Sequence, residues 1–169
     1  MEEKKSTIIF TTFWDAEKML SQKAIVNNKK ELQILELDED GDPSNYSVNS
    51  IALMHPDLTK MPLINKQFHP FTTIKCLCPT YDILMKYKTD KDWDSYTKEF
   101  KKLIVNRKKD IISWIDSLNP NFIYILCCWE NTERGANCHR EILYKLLTQS
   151  KTMKDKANYI YRTGSKTYF

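Results

Sequence analysis

A chain of 169 residues and 20.1 kDa, with 41% hydrophobic, 28% charged and 12% aromatic residues, holds enough apolar material for one packed core and too much for a disordered chain. Its 26 basic and 22 acidic residues leave a net charge of +4, too small a surplus to establish nucleic-acid binding without a clustered patch. No apolar run reaches the roughly 20 residues of a membrane span, and the charged N-terminus lacks the apolar stretch of a secretory signal, so a cytoplasmic protein without a membrane partner is expected.

In chain order, the β-branched run Ser6 to Thr12 predicts a strand, and Trp14 to Leu20 a short helix. Leu32 to Leu37 predicts a second strand, ended by the acidic turn Asp38 to Pro43. From 39 to 70 the prolines Pro43, Pro56, Pro62 and Pro70 predict an irregular excursion with at most a short strand near Val48 to Leu53. Long segments of this kind often line binding sites. Thr72 to Leu77 reads as a strand, and Pro79 suits the first position of a helix through Tyr81, Leu84, Met85 and Tyr87.

The clearest periodicity joins Trp93, Tyr96, Phe100, Leu103, Ile104, Ile111, Trp114, Ile115 and Leu118. It predicts one core-packed helix over 92–118, with Thr89 and Asp92 at its start and Asn119 and Pro120 ending it. Phe122 to Cys128 is a continuous apolar run, as expected of a central strand covered on both faces. Asn137 is placed to cap a last helix with Ile142, Leu143, Leu146 and Leu147 on one face; Tyr159 to Tyr161 can add an edge strand within the basic tail 151–169. The alternation of strands and helices predicts a single α/β domain over 1–169 with a largely parallel sheet, whose ligands bind beyond the carboxyl ends of the strands.

Chemistry concentrates between Cys127 and Glu141, where the central strand passes into the last helix. The start of that helix offers free N–H groups and a partial positive charge, and Arg140 and His139 add donors, so an anion fits there. Glu130, just past the strand, can move a proton, accept a hydroxyl, or pair with Arg134 or Arg140. Cys138, at the helix start beside His139 and Arg140, sits where a thiolate is stabilised, although neighbours on a helix diverge and His139 is then a poor base for it. The five cysteines, an odd number, argue against a disulfide framework and for reduced core thiols. Cys76, Cys78, Cys127, Cys128, Cys138 and His139 could supply soft metal ligands, but neither C-x2-C nor H-x3-H occurs, and Cys127 and Cys128 point to opposite faces of a strand. No metal or other cofactor is therefore expected, and His55 and His69, each beside a proline, read as solvated loop residues.

Cys128, Trp129 and Glu130, followed by Cys138, His139 and Arg140, resemble the paired C-[YW]-E and C-H-R signatures of the DUF488 family, found in bacteria and their viruses. Ile9 to Phe13 is similar to the family's opening strand, Leu77 to Pro79 to its proline-containing junction, and Trp93 to Phe100 to the aromatic start of its long helix. The resemblance implies a Rossmann-like three-layer domain, possible phage origin, and Cys128, Glu130, Cys138, His139 and Arg140 grouped at one site. The expected function is binding or processing of a small anionic ligand, of nucleotide or nucleoside type. Arg140, His139 and Asn137 would hold it, Glu130 would act as acid or base, Cys138 or Cys128 would supply the nucleophile, and Thr11 and Thr12 would complete the wall. Two alternatives use the same residues or charges: sequestering of a nucleotide signal or protein partner without turnover, and nucleic-acid binding through the lysine-rich helix and tail.

Overall fold

The computed structural model describes residues 4–26, 32–67, 72–130, 132 and 136–164. Strand β1 (Thr7–Thr12) runs directly into helix α1 (Phe13–Gln22), because Thr12 changes from extended backbone to N-cap and accepts a hydrogen bond from the Asp15 amide at 3.1 Å. A two-stranded antiparallel ribbon, β2 (Ala24–Val26) with β3 (Leu32–Ile34), precedes β4 (Tyr46–Ser50). The strand expected over Leu32 to Leu37 is thus confined to its first half. Helix α2 (Pro62–Gln67) and a 3-10 turn at Leu58–Lys60 order much of the expected excursion.

Next come α3 (Tyr81–Asp90), α4 (Trp93–Asn106), α5 (Lys108–Asp116), β5 (Ile123–Cys128), α6 (His139–Gln149) and β6 (Asn158–Tyr161). Helix α3 begins at Tyr81, not at Pro79, with Thr80 as its N-cap accepting from the Ile83 amide, and Asp92 caps α4 through the Ser95 amide. The single long helix expected over 92–118 is two helices. They divide at Arg107, whose guanidinium donates to the carbonyls of Lys75, Cys76 and Cys78. Those carbonyls belong to a 3-10 turn at Lys75–Leu77, so the strand expected at 72–77 shrinks to one parallel bridge between Thr73 and Ser50.

The four main strands form one all-parallel sheet in the order β4-β5-β1-β6. The apolar run at 122–128 is its interior strand β5, in register with Ile8↔Tyr124 and Thr12↔Cys128. The tail's tyrosines form the edge strand β6 on the far side of β1. Right-handed crossovers fix the layers. The β1-to-β4 connection crosses the sheet in one direction, and the β4-to-β5 and β5-to-β6 connections cross in the other, so α1 covers one face while α4 and α6 pack together on the opposite one; α2, although it follows β4, packs on α1, where Glu17 accepts from the Leu63 and Ile64 amides. Alternation along β1 agrees: Phe10 meets Tyr144 of α6 edge-on at 6.2 Å, while Thr11 turns to Asp15 of α1. This is a Rossmann-like α/β fold. On the α4 side Tyr96, Phe100 and Ile104 are buried at helical spacing, and Phe100, with no exposed surface, is a residue whose truncation to Ala would cost about 3–5 kcal/mol. No helix among the described residues is long and apolar enough to cross a membrane.

Candidate functional site

The site forms where β5 ends. Period-two alternation sends the buried neighbours Cys127 and Cys128 to opposite faces, Cys127 toward Asp15 and Cys128 toward the start of α6. Cys138 is the N-cap of α6, with extended backbone (φ −142°, ψ 140°), and no side chain caps the helix there. Asn137 is therefore not the cap; its amide reaches the Tyr87 hydroxyl at 3.5 Å. Because Cys138 precedes the helix, its side chain does not follow the helical fan, and it turns to the end of β5. The two neighbours meet at Cys128, each through its own contact. The sulfurs of Cys128 and Cys138 lie 2.9 Å apart, and His139 Nδ1 is 3.5 Å from the Cys128 sulfur.

The tautomer follows from the far side of the ring. His139 Nε2 lies 2.8 Å from the Ile51 carbonyl, which can only accept, so Nε2 carries the proton and Nδ1 turns its lone pair toward the thiols. Phe100 packs edge-on against the imidazole at 5.4 Å and fixes its plane. Burial opposes charge on either sulfur. At Cys138 the hydrogen bonds with Cys128 and His139 and the nearby Arg140 charge outweigh it and hold the thiol well below its usual range. Cys128 is pushed well up by burial and by its partner.

Arg140 is in the expected place but turned away from a ligand. Its side chain is fully buried, and the guanidinium donates to the carbonyls of Glu130, Arg162 and Thr163, with the Tyr161 ring 5.5 Å below. It stitches the exit of β5 to the exit of β6 through α6. Thr11 and Thr12 do not reach the cavity either. Thr11 donates to Asp15, Thr12 caps α1, and both are buried. Asp15 in turn holds Arg162 through two hydrogen bonds of 2.6 and 2.9 Å, an ion pair with almost no exposed surface. Gly164, at φ +93°, lies so close to Thr12 that a Cβ would run into its methyl group.

A cavity of about 490 Å³ opens over the thiols, with Cys128, Cys138 and His139 in its wall. Tyr87, Trp93 and Tyr96 add an aromatic side to it, and Trp93 stacks on Tyr96 at 4.8 Å with 12° between planes. The ladder continues through Phe100 to the imidazole. Trp129 lines the cavity too and donates its indole N–H to the Met54 carbonyl, tying the 52–55 segment to the end of β5. His55, expected to be a solvated loop residue, joins the same lining and meets Phe13 edge-on at 6.2 Å. Exposed Lys88 and Lys91 border the cavity together with Glu130 and Asn137. Cys76 and Cys78 stay apart: burial pushes the Cys78 thiol up to about 11, and its sulfur lies 3.5 Å from the Ile74 carbonyl. His69 and Arg134 fall outside the described residues.

Of the residues singled out in the sequence, the cavity brings together Cys128, Glu130, Asn137, Cys138 and His139, and it adds Lys88 and Lys91, which sequence reasoning did not single out. That reasoning takes Trp93 and Tyr96 as core alone. A family model described as the active DUF488-N3 subclade, DUF488-N3a, matches residues 66–151, just over half of the chain. The chain belongs to the DUF488 family. The matched segment runs from the end of α2 to the end of α6, so it holds the thiol pair, His139, the aromatic ladder and both cavity lysines. Asp15, the Ile51 carbonyl and Arg162 lie outside it. Comparisons with curated proteins and with solved structures give no match.

Proposed function

We propose that this DUF488 protein binds and processes a small anionic ligand of nucleotide or nucleoside type, with Cys138 as the nucleophile. The observation that carries this reading is the meeting, in one cavity, of an aromatic wall, two lysines and a Cys–His pair oriented by a backbone carbonyl. The volume suits a ligand of a few hundred daltons, since small-molecule sites commonly enclose about 300–1,000 Å³. A planar base would stack on Trp93, Tyr87 or Trp129, whose rings tolerate any base because every base has a π-face. Arg140 being committed to carbonyls, the ligand's negative charge would fall to Lys88 and Lys91, with Glu130 left to accept a sugar hydroxyl.

The thiol pair divides the labour. The Cys138 sulfur would attack an electrophilic carbon of the ligand as the bond from that carbon to its leaving group breaks, the departing group taking the bonding pair and the proton held beside it by Cys128 and His139, and water later releasing the carbon from the sulfur, while the Ile51 carbonyl keeps the imidazole in place. The description of the matching subclade as active supports turnover over passive binding. The test is incubation of the purified protein with a panel of nucleotides and nucleosides, followed by mass spectrometry of ligand and protein. A converted ligand, lost in Cys138→Ser but kept in Cys78→Ser, supports the reading. A ligand bound tightly and recovered unchanged would replace it with sequestering.

A further inference from the structure

We propose that Cys128, Cys138 and His139 form a binding site for one zinc ion, with the fourth coordination position directed into the cavity. The three candidate ligand atoms, two sulfurs and a ring nitrogen, lie within 4.8 Å of one another and are all buried. Two thiolates and an imidazole are a soft donor set of the kind Zn²⁺ takes, and three protein ligands with one exchangeable position is the pattern of catalytic, not structural, zinc.

One separation already suits this ion and the other two need small movements, the Cys138–His139 side, which lies within 4.8 Å, closing by at most about 1.2 Å. Tetrahedral zinc with Zn–S near 2.3 Å and Zn–N near 2.0–2.1 Å places sulfur and nitrogen about 3.6 Å apart and two sulfurs about 3.8 Å apart. Cys128 Sγ and His139 Nδ1 are already 3.5 Å apart. The sulfurs, at 2.9 Å, would have to part by a little under about 1 Å. Ligation would drive that movement, because the ion holds each sulfur at its own bond length.

The second shell is also in place. A zinc-bound histidine almost always gives its other ring N–H to a carboxylate or a carbonyl, which fixes tautomer and plane. His139 does this through Nε2 to Ile51, with Phe100 against the ring. The sequence hid the site because its ligands come from a strand end and a helix start, so neither of the familiar two-cysteine or two-histidine spacings occurs.

Metal binding and nucleophilic attack are exclusive uses of the Cys138 sulfur. Zinc would therefore inhibit the activity proposed above, but the metal site does not depend on that activity. The experiment titrates the reduced, chelator-washed full-length chain with Zn²⁺ against a chromophoric chelator and repeats the titration with Co²⁺, whose visible and near-ultraviolet bands report tetrahedral thiolate ligation. One equivalent per chain is expected, with thiolate-to-cobalt charge transfer. Affinity should fall by about a hundredfold or more in Cys128→Ser and in Cys138→Ser, by about tenfold or more in His139→Gln, and stay unchanged in Cys76→Ser and Cys78→Ser. Circular dichroism of each variant establishes that it is folded. Absence of stoichiometric binding by the wild-type chain, or binding that survives both site serines, would overturn the proposal without touching the nucleotide reading; loss of all variants to misfolding leaves the wild-type cobalt spectrum to decide.

Discussion

Cys127 and Cys128 are chain neighbours of one residue type, both buried at the end of the same strand, and they face different partners on opposite sides of the sheet. On the α1 face Cys127 looks onto Asp15, whose carboxylate is already matched by Arg162 and Thr11. Burial and the Asp15 charge push its thiol up, and it behaves as a small hydrophobe. On the α6 face Cys128 meets a second sulfur and an imidazole lone pair at the wall of a cavity. Desolvation acts on both faces, so it does not distinguish them. What differs is the company: the α6 face gives Cys128 a second thiol, Cys138, which its hydrogen bonds and the Arg140 charge hold below the usual range, whereas the α1 face offers Cys127 a carboxylate.

The closed face should be the costlier to disturb. Asp15→Ala leaves the Arg162 guanidinium buried without its counter-charge, and we expect a loss of about 3–5 kcal/mol in urea unfolding. A midpoint that barely moves would mean that the network is not what seals this face. On the open face stability should change little and chemistry much. Cys138→Ser is expected to keep the fold and to lower turnover of the identified ligand by about a hundredfold or more, near 2.7 kcal/mol of barrier. Iodoacetamide sharpens the contrast: Cys138 lines the cavity and Cys127 does not, so peptide mapping of the native protein should find Cys138 alkylated first. Equal labelling of the two would erase the distinction between the faces.

A smaller effect tests how charge is met at the cavity. Lys88→Gln should weaken binding of a phosphate-bearing ligand by about tenfold, roughly 1.4 kcal/mol, and the difference should shrink in high salt because the side chain is exposed. No change at low salt would take Lys88 out of the site and return the question of charge to the helix-start amides.

The same two faces explain what the sequence could show. The apolar run Ile123 to Cys128 can only be an interior strand, and the C-[YW]-E and C-H-R residues sit at its exit, so the fold class and the thiol cluster are legible from local pattern. Arg140 was legible as a position but not as a role. Its partners are carbonyls of Glu130, Arg162 and Thr163, which carry no sequence signature. Arg162 and Asp15, 147 residues apart, meet because β1 and β6 pair, and nothing local announces that. The division of the long helix at Arg107 has the same origin, since a tertiary contact with the 75–78 turn outweighs an unbroken helical periodicity. Tyr96 illustrates a different limit: a ring at core spacing on α4 reads as packing, and only the tertiary structure shows that it also lines the cavity.

The finest comparison is between two lysines with the same backbone. Lys23 ends α1 on the closed side and Lys91 ends α3 beside the cavity; both are left-handed C-caps, at φ 55° and 56°, where glycine is the unstrained choice. Holding an L-residue there costs about 1 kcal/mol, so Lys23→Gly should raise stability by about that amount and leave ligand affinity alone. Lys91→Gly relieves the same strain but removes an ammonium held 5.8 Å over the Tyr87 ring, an exposed contact worth about 0.5–1 kcal/mol. Its net gain in stability should therefore be smaller than that of Lys23→Gly. Ligand affinity should fall severalfold at position 91 alone, read by calorimetric titration beside urea unfolding of both variants. If the two variants match in both measurements, Lys91 is only a helix terminator, and the open face must meet its anion without it.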